Sequence, residues 1–261
     1  MHYELISSAQ NPKVKLLQEL QQKSAERRKR GLFVVEGRRE IERCLDNGYQ
    51  VDTVFCCPEI FGNEWQPKGG ERVFNVSPAI YNKVAYRGGT EGVIAEVVTR
   101  QHILSSLSLP ADAFVVVLES VEKPGNLGAI LRTADASGAD AVIVCDPLTD
   151  LYNPNLIRSS TGAFFSVPCV ACTSSECIEY LKQHGIQILT AQLQDSNLYY
   201  DVDMRRATAI VMGTEATGLT DQWREAADAH IRIPMLGITD SLKVSVSAAV
   251  LMYEAVRQRR N

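Results

Sequence analysis

No stretch of this 261-residue chain stays apolar long enough to cross a bilayer, and the start, Met1-His-Tyr-Glu-Leu, lacks the basic residues and apolar core of a secretory signal. A cytoplasmic protein with no membrane partner is expected, or one in an organelle whose import signal has been removed. The seven cysteines are odd in number and scattered, with Cys56 and Cys57 adjacent, so they read as reduced thiols rather than a disulfide framework. No G-x-G-x-x-G, P-loop, zinc-protease pair or G-x-S-x-G elbow occurs, which removes the common dinucleotide, NTPase and hydrolase signatures. Internal repeats and low-complexity segments are also missing. One metal arrangement needs weighing: Cys169-x-x-Cys172 with Cys177 and His184 offers four zinc ligands. Cys169 and Cys172 flank a strand-like Val170-Ala171 and Cys177 falls in the next helix, so no metal is assigned.

What is present is an uneven charge. The formal net charge is −4, yet residues 12–43 hold ten Lys or Arg against five Glu, which leaves −9 on the rest. A basic end on an acidic body is the footprint of a polyanion-binding surface, with a nucleic acid as the candidate partner of Arg27, Arg28, Lys29, Arg30, Arg38 and Arg39. Cations in the last turn of a helix also complement its dipole, so part of the cluster can be structural.

The length suits two domains. Asn11 and Pro12 open a first helix that Gly31 stops, and strands and helices then alternate to about residue 98, which implies a small α/β domain. Residues 99–112 drop the pattern and contain Ser105-Ser106, Ser108 and Pro110, so the boundary is placed between 107 and 108. The second half opens on Phe114-Val-Val-Val-Leu118, a run typical of a parallel strand buried on both faces, and again alternates strand with helix. The fold class is α/β with a mostly parallel sheet. The last helix, from Val244, is apolar nearly all round, as in a core helix or one shared between its own sheet and a second subunit.

Ligands of open parallel sheets bind beyond the carboxyl ends of strands, where three loops stand out. The first is Asn126-Leu-Gly-Ala-Ile-Leu-Arg132, in which Gly128 and Arg132 share a helix face, so that Gly128 leaves space beside the guanidinium. Asn126 is also a good helix cap, and Arg132 can pair with Asp135. The second is Gly213-Thr-Glu215-Ala-Thr-Gly218-Leu219, whose glycines let backbone approach a ligand, or simply make a tight turn. The third is Ile233-Pro-Met235-Leu-Gly237 followed by Ser241-Leu242-Lys-Val-Ser245.

Together, in this order, the three closely resemble the motifs of the SpoU (TrmH-like) branch of the SPOUT RNA methyltransferases: N-x-G-x-x-x-R, G-x-E-x-x-G-L and I-P-M-x-G…S-L-N-V-S. Residues 7–15 and 33–40 resemble the ribosomal-protein-L30e-like substrate-binding domain that many members carry. The resemblance implies residues 1–107 as an L30e-like RNA-binding domain and 108–261 as a SPOUT fold with a trefoil knot, assembled as a homodimer. It implies S-adenosylmethionine as cofactor, held around Gly213, Gly218, Ile233, Met235 and Leu242, and methyl transfer to a ribose 2′-hydroxyl of rRNA or tRNA, with no metal. Arg132 matches the family's main catalytic group, and Asn126, Glu215 and Ser241 would complete the site. A guanidinium is a poor base, so positioning the nucleophile or stabilising an alkoxide suits Arg132 better. One departure is Lys243, where the family has Asn; it is the best support for the alternative, a catalytically silent RNA-binding scaffold.

Overall fold

The computed structural model describes residues 3–62, 72–86, 91–214 and 216–260. They form two units, residues 1–100 with 150–165, and residues 101–149 with 166–261. The boundary drawn on sequence falls at 107/108, whereas the first compact unit ends at Arg100 and takes in residues 150–165 from the second half.

The first unit holds β1 (Glu4–Ile6), α1 (Pro12–Gln22), α2 (Ser24–Arg30), β2 (Leu32–Glu36), α3 (Arg38–Asp46), β3 (Val51–Cys56), α4 (Pro58–Phe61), β4 (Arg72–Val76), α5 (Pro78–Val84) and β5 (Val93–Val98). Its sheet runs β1-β4-β3-β5-β2, with β1, β4 and β3 parallel and β5 antiparallel to both its neighbours. Val14, Leu17 and Leu20 of α1 recur at helical spacing and bury against Phe55, Phe74 and Ile94. Asn11 caps this helix, accepting from the Lys13 N–H at 2.9 Å.

The single helix expected from Pro12 to Gly31 is broken, because Lys23 is extended at φ −117° and ψ 111°. Arg27 holds the corner: its Nη1 donates to the Leu20 carbonyl at 2.6 Å, satisfying an end group of α1, and its Nε donates to Asp150 at 2.6 Å. At 3 % exposure Arg27 is committed to the fold, which corrects its placement among the RNA-facing cations. Residues 150–165 contribute Tyr152 and Phe165, whose rings lie 4.3 Å from Phe33 and 5.2 Å from Tyr49. Two short helices, Pro154–Ser159 and Ala163–Ser166, stand here rather than one, because Thr161 and Gly162 take φ of 52° and 88°.

In the second unit, β6 (Phe114–Glu119), α6 (Pro124–Ser137) and β7 (Ala141–Cys145) come first; after α7 (Pro154–Ser159) and α8 (Ala163–Ser166), the latter crossing the unit boundary, come β8 (Cys169–Cys172), α9 (Ser174–Gln183) and β9 (Gln187–Ala191). β10 (Asn197–Leu198), β11 (Thr208–Met212), α10 (Asp221–Ala226), β12 (Ala229–Arg232) and α11 (Val244–Arg260) complete it. The sheet order is β10-β12-β9-β11-β6-β7-β8, and every pair is parallel. Its central strands β6, β7 and β11 are buried at every residue, as continuous apolar runs require when both faces are covered.

The helix after β6 starts earlier than its sequence suggests. Pro124 takes the first position with Lys123 as cap, so Asn126 lies inside the first turn and is not the cap. α11 packs against α6, with the Ser137 hydroxyl 3.5 Å from Met252 Sδ. Val244, Ala248, Leu251, Met252 and Ala255 are buried, whereas Val246 and Tyr253 are 45 % and 50 % exposed. Among the described residues no helix is long and apolar enough to cross a membrane.

Candidate active site

Three strand ends and one helix start build a cleft of about 450 Å³ in the second unit. β11 leads into Gly213, where an added Cβ would lie 2.2 Å from the Gly218 carbonyl oxygen, so only glycine fits against the returning loop. The loop is closed by Thr214 N–H to Gly218 O at 3.2 Å and Gly218 N–H to Thr214 O at 3.1 Å, with Gly218 at φ 69°. Beyond it, the buried carboxylate of Glu119 at the end of β6 accepts from the Thr220 N–H at 2.9 Å and hydroxyl at 2.6 Å. Trp223 of α10 is fully buried and donates to the Ser174 hydroxyl at 3.1 Å, which anchors the far end of the loop.

The third segment leaves β12 at Arg232 and regains regular structure only at Val244. Along it Ile233, Met235, Asp240, Ser241 and Leu242 line the cleft, together with Gly213, Gly218 and Leu219 from the second loop. The resemblance assigned Gly213, Gly218, Ile233, Met235 and Leu242 to the cofactor, and the structure brings all five to this one cleft. Ser241 joins them, exposed and with its hydroxyl 3.4 Å from Asp240 Oδ1. Asn126 lines an adjoining cleft of about 330 Å³ with Val121, Glu122 and Lys123. Gly213, Thr214, Ala216 and Val244 border both, so the two are neighbouring compartments.

Other site residues lie elsewhere. Arg132 is exposed on α6 and lines neither cleft of this chain. Gly128, expected to leave open space beside it, is itself buried. Glu215 lies outside the described residues. Lys243 is exposed and does not line the cleft; its carbonyl accepts the Val246 and Ser247 N–H groups at 2.9 and 3.0 Å, opening α11.

Two lining residues escaped the sequence reading. Arg224 of α10 and Gln192 after β9 line the cleft, and each also has a buried polar atom, Nε and Oε1, with no hydrogen-bond partner among the described residues. A buried donor and a buried acceptor left without a partner each carry a desolvation cost. No spacing in the sequence marks either residue, since the first stands on an ordinary surface-type helix and the second at a strand end. In the first unit, Arg28, Lys29, Arg30, Arg38 and Arg39 are all exposed, partly screened by Glu26, Glu42 and Glu40.

A parallel sheet with a glycine-floored cleft at the carboxyl ends of its strands defines a ligand-binding α/β protein of the open-sheet class. The sequence profile of the SpoU rRNA Methylase family matches residues 113–253, and that of the MRM3-like substrate binding domain matches residues 11–95. This chain belongs to the SpoU rRNA methylase family. It is 29 % identical over 254 residues to the 23S rRNA (guanosine(2553)-2′-O)-methyltransferase of Bacillus subtilis, covering 95 % of this chain and 97 % of the relative. Identity is 31 % over 245 residues to the 23S rRNA (uridine(2479)-2′-O)-methyltransferase of Streptomyces viridochromogenes, over 89 % and 85 % of the two. An AdoMet-bound rRNA methyltransferase from Sinorhizobium meliloti superposes with a TM-score of 0.88 at 27 % identity, covering 98 % of each chain.

Proposed function

We propose that this chain transfers a methyl group from S-adenosylmethionine to a ribose 2′-hydroxyl of ribosomal RNA. The observation that carries this reading is the convergence of Gly213, Gly218, Ile233, Met235, Ser241 and Leu242 on one cleft, with Asn126 in the compartment beside it. The residues fit the cofactor: the polar side chains of Gln192 and Arg224 line the cleft and suit its amino and carboxylate groups, and its adenosine fits a wall of Leu219, Leu242, Leu251 and backbone around Gly213. When bound, S-adenosylmethionine supplies an electrophilic methyl on a sulfonium, so the protein's share is alignment and the handling of one proton. Arg132 orients the hydroxyl or steadies its developing charge, Asn126 and Ser241 hold the sugar edge, and Glu215, a phosphate or water takes the proton.

The same reading makes the protein a cytoplasmic homodimer whose chain end is threaded as a trefoil knot. Support for the dimer comes from α11, where the apolar Val246 and Tyr253 stay exposed one full heptad apart, and from Arg132, which lines neither cleft of its own chain. Residues 1–107 hold RNA and residues 108–261 carry out transfer. Relatives act on different nucleotides, one a guanosine and one a uridine, so the base is left to experiment. The scaffold alternative rested on Lys243, whose position away from the cleft lining weakens it. Incubation with tritiated S-adenosylmethionine and rRNA from cells lacking this gene, followed by mapping of ribose methylation, should place one label on a single 2′-hydroxyl. Binding of both ligands without incorporation would establish the scaffold instead.

Two smaller effects follow. Replacing Arg224 by Met keeps volume but removes the donor, and should weaken S-adenosylmethionine binding about ten- to hundredfold by calorimetry. Converting Arg28, Lys29 and Arg30 to Gln should lower RNA affinity and flatten its salt dependence by about 2–3 in log–log slope. Unchanged slope would make the cluster a solvated helix end. Arg27 is left intact in that variant, since its loss would unpair Asp150 and test folding instead.

A further inference from the structure

We infer that Cys145, Cys172 and Cys177 form a binding site for a single thiophilic d10 cation, zinc(II) in the first instance, separate from the methyl-transfer clefts. The sulfur atoms of these three residues all lie within 4.8 Å of one another, and none of the residues lines either cleft. The arrangement follows from register. β7 and β8 are parallel neighbours in which Cys145 is paired directly with Cys172, so both side chains leave the sheet on one face. Thr173 then caps α9 through a reciprocal pair with Glu176, its hydroxyl accepting the Glu176 N–H at 3.2 Å and its N–H donating to the Glu176 carboxylate at 2.8 Å. That cap fixes the first turn of the helix and turns Cys177 back over the strand ends.

The set differs from the one the sequence offered. Cys169, three residues before Cys172, projects to the opposite face of β8, and His184 lies against Tyr180 with its Nδ1 2.8 Å from the Tyr180 carbonyl. Tetrahedral zinc bonds of about 2.3 Å need sulfurs about 3.8 Å apart, within reach of the observed cluster.

The ligating species is the thiolate, so entry of a divalent ion among the three sulfurs releases protons as the metal–sulfur bonds form. Cys172 is half-buried and opens on a groove of about 430 Å³ that Glu176 and Glu179 also line, giving cations a path and a water a fourth position.

The test uses the full-length protein, reduced and stripped with a chelator, and titrated with cobalt(II) and then zinc(II). One ion should bind per chain, with a near-ultraviolet sulfur-to-cobalt band of three-thiolate intensity that zinc abolishes. Protons should be released on binding, and apparent affinity should rise with pH below the thiol range. Cys172→Ser, at a half-buried position that tolerates the change, should lose the band, while Cys169→Ser retains it. Absence of the band in the wild type, its survival in Cys172→Ser, or a disulfide among the three without stoichiometric metal would overturn the assignment. Methyl transfer is not expected to change in Cys172→Ser, so this result is independent of the enzymatic one.

Discussion

Arg132→Ala should reduce methyl transfer by about 10²- to 10³-fold while leaving S-adenosylmethionine affinity within about twofold. The residue is exposed on α6 and lines neither cleft of its own chain, so its removal should move the melting midpoint by no more than about 2 °C. Loss of turnover at constant cofactor affinity and stability is the signature of a group that acts only on the reacting hydroxyl. Single-turnover rates, paired with calorimetry and a thermal melt, separate these quantities. Since the role proposed for Arg132 depends on a second subunit, mixing Arg132→Ala chains with chains defective in the cleft should restore part of the activity. Turnover unchanged in the single variant would remove Arg132 from the mechanism.

The second large effect is structural. In Gly213→Ala the new methyl would sit 2.2 Å from the Gly218 carbonyl oxygen and 2.3 Å from its carbon, a conflict of backbone with backbone that no rotamer relieves. β11 is buried throughout and cannot retreat, so the loop of residues 214–218 must move instead. About 1–3 kcal/mol of stability should be lost, and cofactor binding should weaken at least tenfold because both clefts share this wall. Gly218→Ala makes a useful contrast: space around it is open, but its φ of 69° penalises any side chain by about 1 kcal/mol. A Gly213→Ala protein with normal melting and normal cofactor affinity would mean that the loop is looser than its hydrogen bonds indicate.

Much of the second unit was legible because its strands are short, continuous apolar runs. Val115 and its neighbours could be assigned to a strand buried on both faces, and the loops after such strands are where an open parallel sheet binds ligands. The motifs around Asn126, Gly213 and Ser241, each weak alone, were readable through their joint resemblance to the SpoU pattern. Positions that depended on a contact between distant elements were not. Lys23 carries no breaker signal, yet the helix ends there because Arg27 satisfies the carbonyl of Leu20 while reaching Asp150, 123 residues away. Asn126 looked like a cap until Pro124 took the first helical position.

By itself, then, the order of residues determined the elements, the three loops and the residue types that each loop offers. Only the tertiary structure decided which of those residues meet. Periodicity states which side of a strand or helix is apolar, but the order of strands in a sheet is set by packing among elements far apart in the chain. Placing β11 between β9 and β6 is what sets Gln192 and Arg224 beside one cleft, and pairing β7 with β8 is what gathers Cys145, Cys172 and Cys177 while turning Cys169 away.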